Sequence, residues 1–448
     1  MQRFLYHSFR ISYTIRQWFI RRLTTSGFLI GACLIASAVV GLDTHITMAY
    51  QAFTFLLAML LIAGGWSLFF RGRFDVTRML PKFGTVGERL VYRVTVQNRT
   101  RKIQNGLYLF EEPEDSRPSF EAFARTPEPG EESRNRFDRT IKYHRWLWLI
   151  SRKAVSVKKE PLPAILPEGE ADAQVEIIPR CRGILKLTGM RIARPDPLGL
   201  FYASITIPVS QSVVILPRRY TLPTLRLPGN RRYQSGGVAL TASVGESEEF
   251  VSMRDYRPGD PLRRIHWKSW AKTGKPIVKE YQDEFFVRHA LVLDTFMEAP
   301  YSDIFEEAVS VAASFACSVR TQESLLDLMF VGPEAYCFTS GRGLAHTDSI
   351  LEILASVNPC RDKPFSVLTA SVLERSPILS GCICIFLDWD EERKDFIGHL
   401  KALGVPVLVL IITDPDGSST LDPDPITDVS EDFHRLEIGR IQEGLGKL

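Results

Sequence analysis

A chain of 448 residues has room for about three domains, and its 45% hydrophobic content supplies material for folded cores. Its 55 basic and 52 acidic residues nearly cancel, which excludes the broad positive footprint of a general nucleic-acid binder. The seven cysteines (Cys33, Cys181, Cys317, Cys337, Cys360, Cys382, Cys384) are odd in number, scattered and form no C-x-x-C, so they read as reduced thiols of a cytosolic compartment.

The first 22 residues carry Arg3, Arg10, Arg16, Arg21 and Arg22 and no acid. Two apolar runs follow, Gly27 to Leu42 and Ala49 to Phe70, separated by Asp43 to Met48. At about 1.5 Å per residue the second reaches about 33 Å, and the first reaches about 30 Å if counted from Leu23. Arg71, Arg73, Arg78 and Lys82 come next. Positive charge at both outer ends predicts a transmembrane helical hairpin over 1–82, with both termini cytoplasmic. A cleaved signal peptide is the rival reading, and the second span with its basic flank argues against it.

From Arg89 the period changes to two. Leu90–Val96 alternates and stops near Asn98, and Ala173–Ile178, Gly183–Ile192, Leu200–Ile207 and Val213–Leu216 behave similarly. Short strands with turns between them predict an antiparallel β-sandwich over 83–216. Within it, Glu111–Asp138 is rich in Pro, Glu and Ser and reads as a mobile acidic loop. Arg139–Lys159 is basic around Trp146-Leu147-Trp148-Leu149-Ile150. It is read as a sandwich strand with aromatics in the core, the alternative being a membrane-surface segment. Residues 217–245 form a Pro/Gly/Arg/Ser-rich linker.

Residues 246–286 hold the densest set of polar side chains. Asp255, Arg257, Asp260, Arg263, Arg264, His266, Trp267, Lys268 and Trp270 fall within sixteen positions, around a Pro258-Gly259-Asp260-Pro261 turn. Arg254, Tyr256, Pro258-Gly259-Asp260, Arg264, Ile265, Trp267-Lys268, Ala271, Thr273-Gly274 and Val278-Lys279-Glu280 resemble the signature of the "domain of unknown function 58" family of prokaryotic proteins. Pro195–Phe201 (PDPLGLF) resembles an element that precedes the signature in that family. Equal numbers of acids and bases predict an internal ion-pair network. The segment is expected to clasp the two flanking domains, with Trp267 and Trp270 as buried anchors. Thr273-Gly274-Lys275-Pro276 lacks the upstream glycine and following hydroxyl of a phosphate loop. Asp255, Asp260, His266 and Lys268 are competent acid–base groups, and they define the rival reading: a hydrolase or metal-dependent enzyme. No nucleophile motif accompanies them.

From 287 to 415, apolar runs alternate with helical patterns. His289–Asp294, Leu326–Val331, Ala335–Thr339, Cys382–Asp388 and Val405–Ile412 read as strands. Ser302–Arg320, Thr347–Val357 and Glu391–Leu403 read as helices. This predicts a parallel sheet covered on both faces, with Cys382 and Cys384 on one strand face. The pattern resembles a von Willebrand factor A-type domain, which the family leads one to expect. Such domains often hold a metal through D-x-S-x-S after the first strand and a later Asp. Asp294 and Asp388 stand in those places, but Phe296 and Glu298 replace the serines, so the site is degenerate and no bound divalent metal is expected. Capping of helix N-termini, or pairing with signature arginines, is the remaining role for the two aspartates. Residues 416–448 read as a mobile tail.

The combined expectation is a prokaryotic inner-membrane protein, a scaffold or adaptor. The family resemblance implies a MoxR-type AAA ATPase partner and a transglutaminase-like membrane protein alongside it.

Overall fold

The structure is a computed structural model that describes residues 2–41, 47–153, 155–223, 250–258, 260, 262, 265–281, 287–299, 301–318, 324–340, 344–414 and 432–448. The sequence expectations for the loop at 43–46, most of the linker, Gly259, Arg264 and residues 416–431 lie outside the described residues. So does the side chain of Glu280. The chain divides into two compact units. One is Met1–Arg219 with Ala299–Ser302 and Leu351–Val357; the other is Tyr220–Glu298, Asp303–Ile350 and Asn358–Leu448.

The first unit begins with helix α1 (Gln2–Arg22), followed by α2 (Thr25–Val40) and α3 (Thr47–Ser67). Met48–Ser67 is long and apolar enough to cross a membrane, and Thr25–Val40 is a shorter apolar helix. Thr24 breaks the helix between α1 and α2 with extended backbone, and its hydroxyl caps α2 by accepting from Gly27 N at 3.0 Å.

The strands that follow are β1 (Phe74–Met79), β2 (Phe83–Thr85), β3 (Leu90–Asn98) and β4 (Tyr108–Pro113). Helices α4 (Phe120–Arg125), α5 (Arg136–Ile141) and α6 (Tyr143–Lys153) come next. Strands β5 (Val155–Val157), β6 (Glu160–Pro161), β7 (Glu170–Pro179), β8 (Gly183–Pro195) and β9 (Tyr202–Leu216) complete the unit. One sheet runs β1-β3-β7-β5 and the other β2-β9-β8-β4-β6, with every neighbour antiparallel except β2 beside β9. Alternate residues of β1, β3 and β7 point inward, so Val76, Tyr92, Val94, Val175 and Ile177 meet Leu109, Ile192 and Ile215 in one core.

Two expectations fail here. Glu111 and Glu112 do not open a mobile loop; they are buried in β4. Their acidic character concealed arginine partners far away in sequence, Arg78 and Arg191. The 139–159 stretch is not a strand of the sandwich: its centre is helix α6. Arg145, Trp146 and Leu149 are buried at helical spacing and join Tyr6 and Phe123 in a separate aromatic cluster. Short apolar runs fit either period, and packing against α1 and α4 decides for the helix.

Pro195–Phe201 forms a corner held from within. Asp196 accepts from Leu198 N (2.9 Å), Leu200 N (2.7 Å) and Phe201 N (2.6 Å). The outer side of that corner receives the start of α2. Thr24 N donates to Leu200 O at 3.0 Å, and the Thr24 hydroxyl donates to Gly199 O at 2.5 Å. Gly27 is required by this approach, because a Cβ there would stand 2.2 Å from the Leu200 carbonyl oxygen.

The second unit contains strand β10 (Phe250–Asp255), helix α7 (Trp267–Thr273) and strand β11 (Ile277–Tyr281). An α/β region follows: β12 (Val287–Leu293), α8 (Asp303–Ser318), β13 (Ser324–Val331), β14 (Ala335–Ser340), α9 (Leu344–Ser356, of which the part from Leu351 belongs to the first unit), α10 (Ser366–Arg375), β15 (Gly381–Phe386), α11 (Glu391–Ala402), β16 (Val407–Thr413), β17 (Phe433–Glu437) and α12 (Ile441–Leu445). The sheet order is β14-β13-β12-β15-β16-β17, parallel except for β14 at the edge. Phe365, Leu368 and Val372 of the α10 region and Phe396, Ile397 and Leu400 of α11 cover one face, over a core that includes Cys382 and Cys384. The last strand is not Val405–Ile412. Strand β17 pairs beside it, and α12 buries Ile441 and Leu445, so residues 432–448 are structure and not mobile tail. Only Leu436 of β17 is fully buried, which left it without a readable strand pattern.

Candidate functional site

Two places gather the singled-out residues. The first is the signature hairpin. β10 and β11 pair antiparallel, with Arg254 opposite Val278 and Asp255 opposite Ile277. Ile265 bridges to Val278, and among the described residues these two are the buried ones of this small module. Tyr256 N donates to Pro276 O at 3.0 Å. Arg254 grips Asp260 with two bonds of 2.8 Å, and Arg257 N adds a third of 2.8 Å. The Arg254 guanidinium, followed by that backbone N–H, holds the Asp260 carboxyl down at about 2. The turn around Pro258 and Asp260 is thereby closed on β10.

His266 precedes α7. Its Nδ1 meets the Ser269 hydroxyl at 2.6 Å, and its backbone N–H donates to Ile277 O at 2.8 Å. Ser269 was absent from the sequence reading. Its position three residues after His266, at the start of a helix, was the available signal. Thr273 and Gly274 end the helix: Gly274 takes a left-handed φ of 71° and its N–H bonds Trp270 O. Lys268 and Asp255 are exposed. Trp267 is not a buried anchor. It is 61% exposed and stacks on Trp270 with centroids 5.2 Å apart and ring planes 21° apart. Met253 and Leu262 are also exposed.

The second place is the point in the sheet where the strand order reverses, beyond the C-terminal ends of β12 and β15, where open α/β sheets bind ligands. Asp294 and Asp388 stand there. Asp294 is wholly buried, and its carboxylate accepts from Phe296 N (3.0 Å), Leu387 N (3.2 Å) and Arg393 Nε (2.7 Å). Arg393 lies in the first turn of α11, also pairs with Asp390, and stacks over Phe365 at 4.9 Å. Burial works against the Asp294 charge and raises its pKa, against the pull of Arg393 and the two N–H groups. Burial also works against the Arg393 charge, but the carboxylates around it keep that pKa up. Asp388 is exposed and accepts from Trp389 N at 2.7 Å. Of the two roles expected for Asp294, capping a helix N-terminus or pairing with signature arginines, neither describes its arginine partner among the described residues, which is Arg393, 99 positions along the chain. A divalent metal does not fit this donor set, because Asp294 is saturated by a guanidinium and two N–H groups. Among the described residues, no group of three or more His, Cys, Asp and Glu is placed to hold a metal ion.

A family model described as "Protein of unknown function DUF58" matches residues 252–417, the hairpin and most of the α/β sheet. Residues 252–417 are thus similar to the DUF58 family. The match leaves the sandwich and α1–α3 outside it. The uncharacterized protein YeaD of Bacillus subtilis (strain 168) is 28% identical over 178 residues, 39% of this chain and 42% of that protein. The chain thus spans less than half of that relative's length. Solved structures with similarity over 32% of the chain include the CARDB domain of PF1109 from Pyrococcus furiosus (10% identity, 94% of that chain, TM-score 0.16). A cohesin module from Clostridium perfringens is another, also over 32% (11% identity, 98% of that chain, TM-score 0.15). Scores this low carry no structural argument.

Proposed function

We propose that this protein is a membrane-anchored cytoplasmic scaffold whose signature hairpin docks a protein partner, and that the partner is a MoxR-type AAA ATPase. The observation that carries the reading is the Trp267–Trp270 stack. Aromatic side chains concentrate at the centres of protein interfaces; Trp267 stands exposed on the half-buried Trp270, and Met253 and Leu262 of the same segment are exposed as well. Lys268, Lys272 and Lys275 of the same segment are exposed. The MoxR pairing, with a transglutaminase-like membrane protein as a further partner, comes from the family resemblance.

The anchor in this reading is a transmembrane hairpin of α2 and α3 with both termini in the cytoplasm. Arg71, Arg73, Arg99 and Arg101 line an open groove just beyond α3, a strong positive flank of the kind retained on the cytoplasmic side. The α/β region is read as a degenerate von Willebrand factor A-like domain: its antiparallel edge strand and its two aspartates fit, and Arg393 supplies the positive charge beside Asp294 in place of a metal.

The enzymatic reading has one observation in its favour, the His266–Ser269 contact, which is base-to-hydroxyl geometry. Against it, Asp260 is tied to Arg254 and ionises near 2, which makes it a poor proton acceptor at neutral pH. The two readings separate in one experiment. Tagged full-length protein is isolated from solubilised membranes as wild type, as Trp267→Ala/Trp270→Ala and as His266→Ala/Ser269→Ala. The scaffold predicts an ATPase recovered stoichiometrically with wild type and lost with the tryptophan variant alone. Recovery unchanged by the tryptophan substitutions, or substrate turnover abolished by His266→Ala/Ser269→Ala, would contradict it.

A further inference from the structure

Helix α1 carries two apolar faces, and among the described residues only one of them packs against protein. Tyr6, Phe9 and Tyr13 lie on the inner face and pack against Phe120, Phe123, Trp146 and Leu149. That face is fixed by polar contacts as well: Tyr6 OH donates to Pro118 O at 3.1 Å, Tyr13 OH meets the Ser116 hydroxyl at 3.1 Å, and Arg21 pairs with Glu112 at 2.5 Å. At about 100° per residue, Phe4, Ile11, Ile15 and Trp18 form a second stripe, about 180° from the first. These four are 75%, 60%, 51% and 53% exposed. Arg3 and Arg10 border the stripe on one side, and Arg22 lies in line with it at the C-terminal end of the helix.

Three observations say what covers this stripe. Only Leu23 and Thr24 separate α1 from α2, so the C-terminal end of α1 lies at the mouth of the first apolar helix. The helix holds five arginines and no acid, which excludes it from spanning a bilayer itself while suiting it to anionic headgroups. Two copies facing each other through the stripe would bring their arginine borders together, which disfavours self-association. An exposed apolar face with basic borders and an interfacial Trp is the pattern of a helix lying in the plane of the headgroups.

We infer that α1 is an interfacial helix. Its outer face, Phe4, Ile11, Ile15 and Trp18, inserts into the boundary between headgroups and acyl chains of an anionic leaflet. Its inner face carries α4, α6 and the β-sheets. The inference rests on the membrane reading of α2 and α3 and goes beyond it, because a plain basic tail requires no contact with lipid along its length. By this account the first unit is strapped flat to the bilayer.

Photolabelling tests it directly. The full chain is reconstituted in vesicles of phosphatidylglycerol and phosphatidylcholine that contain a diazirine-bearing phospholipid. After irradiation, adducts are mapped by peptide mass spectrometry. Adducts are expected on Phe4, Ile11, Ile15 or Trp18 as well as on α2 and α3, with none on Tyr6, Phe9 or Tyr13. In pure phosphatidylcholine vesicles, labelling of α1 relative to α3 should be weaker. Labelled α2 and α3 with an unlabelled α1 would overturn the interfacial helix and leave the membrane anchor standing. An unlabelled α2 and α3 would overturn the anchor and the inference together.

Discussion

Several buried charges in this protein pair with residues distant in sequence, as Arg393 does with Asp294 and Arg78 with Glu111. Arg393 and Asp294 come from different elements and meet in a site from which water is excluded. Removing one partner of such a pair leaves an uncompensated buried charge, so Arg393→Ala should cost roughly 3–5 kcal/mol in denaturant unfolding. Arg393→Leu combined with Asp294→Asn should be milder than the sum of the single changes. Calorimetric titration of the full chain with Mg²⁺ should give no saturable heat at submillimolar concentration; a one-site isotherm lost in Asp294→Ala would contradict the assignment of Arg393 as the counter-charge. Glu111 offers a pH test. Burial raises its carboxyl from 4.5 to about 7, opposed by the Tyr92 hydroxyl and Arg78. Between those values the folded state binds more protons than the unfolded one, so this contribution is present below about pH 4.5 and is lost as pH rises to about 7. Unfolding of Glu111→Gln, followed across that range, should lack this slope. Asp260 behaves in the opposite sense: its stabilisation is complete above its ordinary range and disappears as pH falls towards 2. The sequence identified Asp260, Asp294 and Asp388 as residues worth following. It did not reveal Arg393 or Arg78 as partners, because an ion pair between residues 99 or 33 positions apart leaves no local pattern.

Elements with a strong period were legible; those whose packing decided their form were not. The alternation in β3 and the continuous apolar runs of β12, β15 and β16 identified strands and the face they bury. Helix α6 was misread because Trp-Leu-Trp-Leu-Ile suits both periods. Helix α10 and the final β17 and α12 were missed because their few core positions lie in polar surroundings. The signature was recognised as a unit, but Trp267 was misplaced: a tryptophan in a dense motif reads as core, whereas here it stands on the surface. Trp267→Ala should therefore change stability by no more than about 0.5 kcal/mol, measured by thermal unfolding, while still reducing recovery of the partner. The Asp196 corner is the element that receives the start of α2. Gly27→Val should expose the α1–α2 junction to limited proteolysis, since its Cβ would meet the Leu200 carbonyl. Gly31→Val, with nothing within 4 Å of its Cβ, serves as the control and should leave the cleavage pattern unchanged.

At the scale of the whole molecule, the order of parts was readable from the sequence: apolar helices, β-rich region, signature, α/β region. Each has its own period and its own punctuation. What the parts do together depends on surfaces, and surfaces carry weaker sequence signals than cores. In the proposed arrangement, two apolar helices hold both folded units on the cytoplasmic side of a membrane. A reporter pair fused after Leu448 of the full chain tests it in cells, with one enzyme active only in the cytoplasm and the other only outside it. Fusion at the C-terminus keeps β17 and α12 within the folded sheet. Activity of the cytoplasmic reporter alone is predicted. Activity of the external reporter at that junction would contradict the topology and, with it, any role with a cytoplasmic ATPase.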